Sequence, residues 1–260
     1  MADIVYPPVI ASARVAFKLL GLKFDIVGAQ NIPTSGGAVL ASNHVSYLDF
    51  IFVGLGADAS NRLVRFMAKD TVFSNRLSGP LMRGMHHIPV DRAAGAQSFD
   101  EALEALRGGE VIGVFPEATI SRAFQIKDLK SGAARLAQDA EVPLIPMVVW
   151  GGQRMMSKGT PRSMRRGTRI FITIGEPLYT SPDDDPTQVT GELRTRLEAL
   201  LADTIARYPD SPDNDDDRWW MPANYGGTAP TLEQANSEDD EADRERRARR
   251  EAKKQQSSDS

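Results

Sequence analysis

Short, mostly apolar runs alternate with longer stretches of helical periodicity along most of this chain. The runs at residues 24–28, 38–41, 63–68, 87–90, 111–115, 144–150 and 170–174 lack a polar face, as strands buried on both sides do. Between them, residues 46–56, 78–84, 95–107, 130–140 and 186–208 repeat at helical spacing. Apolar strands separated by helices predict an α/β fold, a single domain whose mostly parallel sheet is covered by helices on both faces. Ahead of it, Pro7-Pro8 opens a helix to about Leu20. Its apolar stretch is interrupted by Arg14 and Lys18, so it falls short of the roughly 20 apolar residues that span a bilayer. It also lacks the small-residue cleavage pattern of a signal peptide. Residues 1–23 are therefore expected to form an amphipathic helix, lying in a membrane interface or packed on the domain.

The pattern breaks after residue 208. Of 31 Lys+Arg and 35 Asp+Glu, residues 209–260 hold 8 and 14, a net of −6, which leaves residues 1–208 at +2. Asp215-Asp216-Asp217 precedes Trp219-Trp220, a pair expected to pack back on the domain or to meet a membrane interface. From Glu238 an acidic block gives way to a basic one. With so little to bury, residues 228–260 are expected to be disordered or to form a lone solvated helix. The organisation read here is an N-terminal helix at 1–23, one domain at 24–208 and an extension at 209–260. There are no cysteines, which excludes disulfides and thiolate chemistry and is compatible with a reducing compartment.

Candidate chemistry sits where strands end, because open α/β sheets gather ligands beyond the carboxyl ends of their strands. His44 follows the run at 38–41 and lies five residues before Asp49; Glu117 follows the run at 111–115. A histidine takes a proton near neutral pH, and a carboxylate can hold the imidazole in one tautomer. A plainer reading competes with this one: Ser46 and Asp49 have the spacing of a capping box. Residues five apart on one helix point about 140° from each other, so His44 must precede the helix and fold back over its first turn. The cap would produce that arrangement, and the two readings are compatible. His86-His87 would project to opposite faces of a strand, and no metal site is expected there.

Further residues extend the pattern: Lys69 at the end of a run, Ile88-Pro89-Val90-Asp91-Arg92, then Phe115-Pro116-Glu117-Ala118-Thr119-Ile120-Ser121-Arg122, and finally Val142-Pro143-Leu144-Ile145-Pro146. With Asn43, His44 and Asp49, this ordered set resembles the 1-acylglycerol-3-phosphate acyltransferases over about residues 24–175. The resemblance implies transfer of a fatty acyl group from acyl-coenzyme A, a co-substrate rather than a cofactor, to a lysophospholipid hydroxyl. The acceptor implied is 1-acylglycerol-3-phosphate; a lysoglycolipid, glycerol-3-phosphate and a non-catalytic lipid-binding role are the alternatives. It implies His44 as base and Asp49 as its orienter. It also implies substrate contacts from Asn43, Lys69, Arg92, Phe115, Pro116, Glu117, Thr119 and Arg122. Ala118 stands where the family motif has glycine, and Ile120 where it has a phosphate-contacting arginine, for which Arg122 is expected to compensate. Lipid substrates imply a cytoplasmic protein held peripherally at the inner face of the membrane. The cluster Arg154, Lys158, Arg162, Arg165, Arg166 and Arg169 suits an anionic surface or coenzyme A phosphates. No nucleic-acid partner is expected.

Overall fold

A computed structural model describes residues 4–76, 78–90 and 95–258. In chain order the elements are α1 (Tyr6–Leu19), β1 (Lys23–Val27), β2 (Ala38–Ser42), α2 (Asp49–Asp58), β3 (Val64–Lys69), α3 (Asp70–Phe73), α4 (Ser78–Gly84), β4 (Ile88–Val90), α5 (Gly95–Arg107), β5 (Val111–Val114), α6 (Gly132–Ala140), β6 (Leu144–Trp150), β7 (Arg169–Ile174), α7 (Pro186–Arg207) and α8 (Leu232–Ser258). The seven strands form one sheet in the order β1-β7-β6-β2-β5-β3-β4. Neighbours run parallel throughout, except the antiparallel pair β6–β7.

Successive side chains of each central strand serve different layers, as the pleat requires. Ala38 and Leu40 of β2 join Phe17 of α1 and Phe52, Val53 and Ala57 of α2 on one face. Val39 and Ala41 join α5, α6 and α7 on the other, through Leu106, Leu136 and Leu197. Every residue of β6 is buried. That is why these strands read as apolar runs without alternation.

Helix starts follow local chemistry. Pro186 opens α7, and the Asp185 side chain accepts the Thr187 N–H at 2.8 Å. The helix expected from residue 46 begins at Asp49 instead, because residues 43–48 are committed to other contacts. Helix α1 is docked: Tyr6 Oη donates to the Val64 carbonyl at 2.7 Å, and Phe17 packs between Phe24 and Phe52. Val15 and Leu19 remain exposed. No helix among the described residues is long and apolar enough to cross a membrane.

In the extension, the helical alternative for residues 228–260 is the one the fold takes, but the helix is not a lone one. Trp220 is fully buried, with the Arg154 guanidinium 4.3 Å above its ring, so the tryptophan pair packs back on the domain. Residues 232–258 form α8, and the helix is not solvated throughout. Ala235 is buried, and Glu238 and Asp239 pair with Arg122, Lys127 and Lys158. A reciprocal cap starts it: the Thr231 N–H donates to Gln234 Oε1 at 2.9 Å and the Gln234 N–H to Thr231 Oγ1 at 3.2 Å. That signal, Thr-x-x-Gln, was present in the sequence and is obscured by the polar composition around it.

Candidate active site

Strands β2, β3, β4 and β5 are parallel, so their carboxyl ends share one rim of the sheet. His44 lies just past β2, Lys69 ends β3, and Phe115, Pro116 and Glu117 leave β5. Arg92, two residues beyond β4, falls outside the described residues. A cleft of about 610 Å³ opens on this rim, with His44, Phe115, Pro116, Lys69 and Lys130 on its wall. Met67, Val72, Met82, Phe99 and Leu136 make the rest largely apolar.

At the head of the cleft, the imidazole of His44 is stacked on Phe115, ring centroids 4.3 Å apart. Its Nδ1 lies 3.0 Å from Asp49 Oδ2. The same carboxylate oxygen accepts the Val45 and Ser46 N–H groups, each at 2.7 Å. Asp49 thus does both things considered for it: it caps the turn and holds the histidine. Ser46 Oγ is engaged differently from a reciprocal cap, accepting the Leu48 N–H and donating to the Met156 carbonyl. Burial pushes the fully enclosed Asp49 carboxyl above the usual carboxylate range, against the pull of His44 and the two N–H donors. With Nδ1 committed to Asp49, Nε2 is the ring nitrogen left to exchange a proton.

The loop after β5 locks the histidine from behind. The His44 N–H donates to Glu117 Oε1 at 3.0 Å, and the Lys127 N–H to Glu117 Oε2 at 3.2 Å. The Ser121 N–H donates to the His44 carbonyl at 2.7 Å. Burial raises Glu117 to about 8, although both hydrogen bonds oppose it. Lys127, which sequence reasoning missed, donates to Thr119 Oγ1 at 3.1 Å. Lys130 was missed as a cleft cation too; the proline-ended strand ahead of it, whose Pro116 carbonyl accepts the Lys130 N–H, was the available signal.

Three expected substrate contacts take other roles. Asn43 is fully buried and pins β2 to β6, its amide donating to the Val149 carbonyl at 3.0 Å and accepting the Val149 N–H at 2.8 Å. Both oxygens of Glu117 are held by backbone N–H groups. Arg122 does not line the cleft; it pairs with Glu238, so it does not replace the guanidinium missing at the buried Ile120. The basic cluster is largely neutralised within the chain. Arg154 and Arg169 share Asp210, Arg165 pairs with Asp213, and Lys158 with Asp239. His87 is buried with Nδ1 accepting the Phe66 N–H at 3.1 Å, and burial, with Arg65 nearby, lowers it to about 4. Among the described residues, no three acidic or histidine side chains gather as a metal would need.

Comparison with known proteins converges on one family. The Acyltransferase family profile matches residues 23–150. The chain is 31% identical over 158 residues to the 1-acyl-sn-glycerol-3-phosphate acyltransferase of Bacillus subtilis (strain 168), covering 59% of this chain and 73% of that one. It is 33% identical over 166 residues to the 1-acyl-sn-glycerol-3-phosphate acyltransferase of Limnanthes douglasii, covering 62% of this chain and 57% of that one. The fold matches that of the 1-acyl-sn-glycerophosphate (LPA) acyltransferase PlsC from Thermotoga maritima, with a TM-score of 0.66 at 21% identity, over 78% of this chain and 81% of that one. With its profile match centred on the strands that carry His44, Lys69 and Glu117, and its relatedness to the Bacillus enzyme over most of that enzyme's length, the chain belongs to the acyltransferase family that contains the 1-acyl-sn-glycerol-3-phosphate acyltransferases.

Proposed function

We propose that the protein transfers a fatty acyl group from acyl-coenzyme A to the free hydroxyl of 1-acylglycerol-3-phosphate, giving phosphatidic acid, with His44 as general base. The observation that carries this reading is the 3.0 Å contact between His44 Nδ1 and Asp49 Oδ2 at the head of an apolar cleft edged by two lysines. An alcohol is a poor nucleophile at neutral pH, so its proton has to leave as it attacks. In the proposed reaction the acceptor oxygen bonds to the thioester carbonyl carbon while Nε2 of His44 takes the hydroxyl proton. The carbon–sulfur bond then breaks, and the departing thiolate takes that proton as free coenzyme A. Asp49 steadies the imidazolium that forms between the two steps. Apolar walls suit the acyl chains, and Lys69 and Lys130 suit the acceptor's phosphate.

A second acceptor is favoured by one specific observation: Ile120 is buried and Arg122 is occupied by Glu238. A lysoglycolipid or another acceptor with less demand for a phosphate clamp fits that arrangement. Peripheral attachment to an anionic membrane surface on its cytoplasmic side is proposed as well. It is supported by the exposed Ile4, Val15 and Leu19 at the N-terminal helix.

One experiment tests the reading. Thiol release is followed with acyl-coenzyme A and acyl carrier protein donors against lysophosphatidate, lysoglycolipid and glycerol-3-phosphate, the lipids presented in anionic vesicles. Turnover is expected with lysophosphatidate, and His44→Ala is expected to lose the roughly 10²–10⁴-fold that a positioned base contributes while keeping a cooperative melt. Full activity in that variant sinks the base assignment, and no turnover with any pair sinks the enzymatic one. Sedimentation with the vesicles is the outcome that surface attachment requires, and its loss in high salt is the outcome that an electrostatic part of that attachment requires.

A further inference from the structure

The loop between β5 and α6, residues 115–131, holds the histidine from behind, yet it contains no regular secondary structure of its own. Two of its non-glycine residues, Ala118 and Phe124, sit at φ of +61° and +55°. Such conformations persist only where the surroundings over-determine them. Some of that determination is local: the Ser121 N–H on the His44 carbonyl, and the Lys130 N–H on the Pro116 carbonyl at 2.9 Å. The rest comes from α8. Lys127 Nζ is held between Thr119 Oγ1 at 3.1 Å and Asp239 Oδ2 at 2.9 Å. Asp239 Oδ1 takes Lys158 Nζ at 2.5 Å, and Glu238 takes Arg122 of the same loop. Lys127 and Asp239 are each only 12% exposed, unlike a solvated ion pair. Although burial opposes it, the lysine contacts hold the Asp239 carboxyl below its ordinary range.

We infer that Asp239 is a positioning residue for the reaction. By fixing Lys127 it fixes the stretch whose Lys127 N–H holds the Glu117 carboxyl, which in turn accepts the His44 N–H, so the C-terminal extension is a working part of the active site. The inference rests on the reading of His44 as base. It makes a part of the chain outside the family match at residues 23–150 necessary for full turnover. A tail that merely masked cations would act in the opposite direction, and its removal would speed the reaction.

The test uses the full chain carrying Asp239→Asn, Lys127→Met, both together, and Asp213→Asn as a control that breaks an exposed pair in the same extension. Both single variants and their pair are expected to lose about tenfold in kcat with acceptor KM within about twofold, as slight misplacement of a base would cause. The pair is expected to be no worse than the worse single variant, because both remove one link. Asp213→Asn is expected to keep the parent kcat. Amides 117–127 are expected to exchange faster in Asp239→Asn while the global melt stays cooperative. An unchanged or increased kcat in Asp239→Asn overturns the proposal, as do unchanged exchange rates. Those rates do not depend on which residue takes the proton. A failed base assignment, seen as turnover in His44→Ala, is therefore distinct from a failed link.

Discussion

Two carboxylates a few ångströms from one histidine divide the work between its ring and its backbone. Asp49 holds the ring nitrogen, and Glu117 holds the main-chain N–H. Position, not residue type, decides which acid touches the imidazole. Next to Glu117, Ala118 carries a consequence of departing from the family's glycine. Its φ of +61° is left-handed backbone, which costs a residue with a Cβ about 1 kcal/mol or more. Ala118 is exposed, so its methyl group contributes little packing to offset that strain. Ala118→Gly relieves the strain and adds about 0.4–1 kcal/mol of unfolded-state entropy. A net gain of up to about 0.6 kcal/mol is expected in urea denaturation, with activity retained. A loss of stability would mean that the methyl group is held more favourably than its exposure implies. Sequence alone located the departure at Ala118 but not its geometry. It also put Asn43 among the substrate contacts, because a motif ties residues to a function without saying which of them build the scaffold beneath it.

At the scale of elements, all seven strands were legible; burial on both faces gives the central ones the same apolar signature whatever the pairing partner. For the same reason the antiparallel pairing of β6 with β7 was not legible: strand direction leaves no trace in an unalternating run. Helix α3, a single turn from Asp70 to Phe73, is too short for periodicity to register. Helix α8 is the helical alternative expected of this segment, but its docking on the domain was not legible, for a different reason. Its polarity correctly implied that it cannot bury an apolar face, but it is anchored by carboxylates on three cations instead. Its start depends on the cap formed by Thr231 and Gln234. Thr231→Ala is expected to destabilise that end by about 1 kcal/mol, read as faster amide exchange over residues 232–238 with little change in the global melt. Unchanged exchange would show that the ion pairs hold the helix start without the cap.

Across the whole molecule, buried ionisable groups set how stability responds to pH, and two of them pull in opposite directions. Glu117 titrates near 8 in the fold against an ordinary 4.5. Between those values the native state keeps a proton that the unfolded chain has released, so stability falls as pH rises. His87 titrates near 4 against an ordinary 6.5. Over that interval the unfolded chain binds the extra proton, and stability rises with pH. The two slopes offset each other from about pH 4.5 to 6.5, and above 6.5 the Glu117 slope continues without its counterweight. One proton over the window from pH 6.5 to 8 corresponds to a loss of about 2 kcal/mol. Asp49, also raised by burial, adds to the fall in its own range, so the informative quantity is the difference between the parent and Glu117→Gln. That variant keeps an acceptor for one of the two N–H donors and has nothing to titrate. Denaturation at pH 5, 6.5 and 8 is expected to give a parent that weakens between the last two points and a variant whose stability stays level there. Parallel curves would mean that Glu117 is ionised throughout this range, its two N–H donors outweighing the cost of burial.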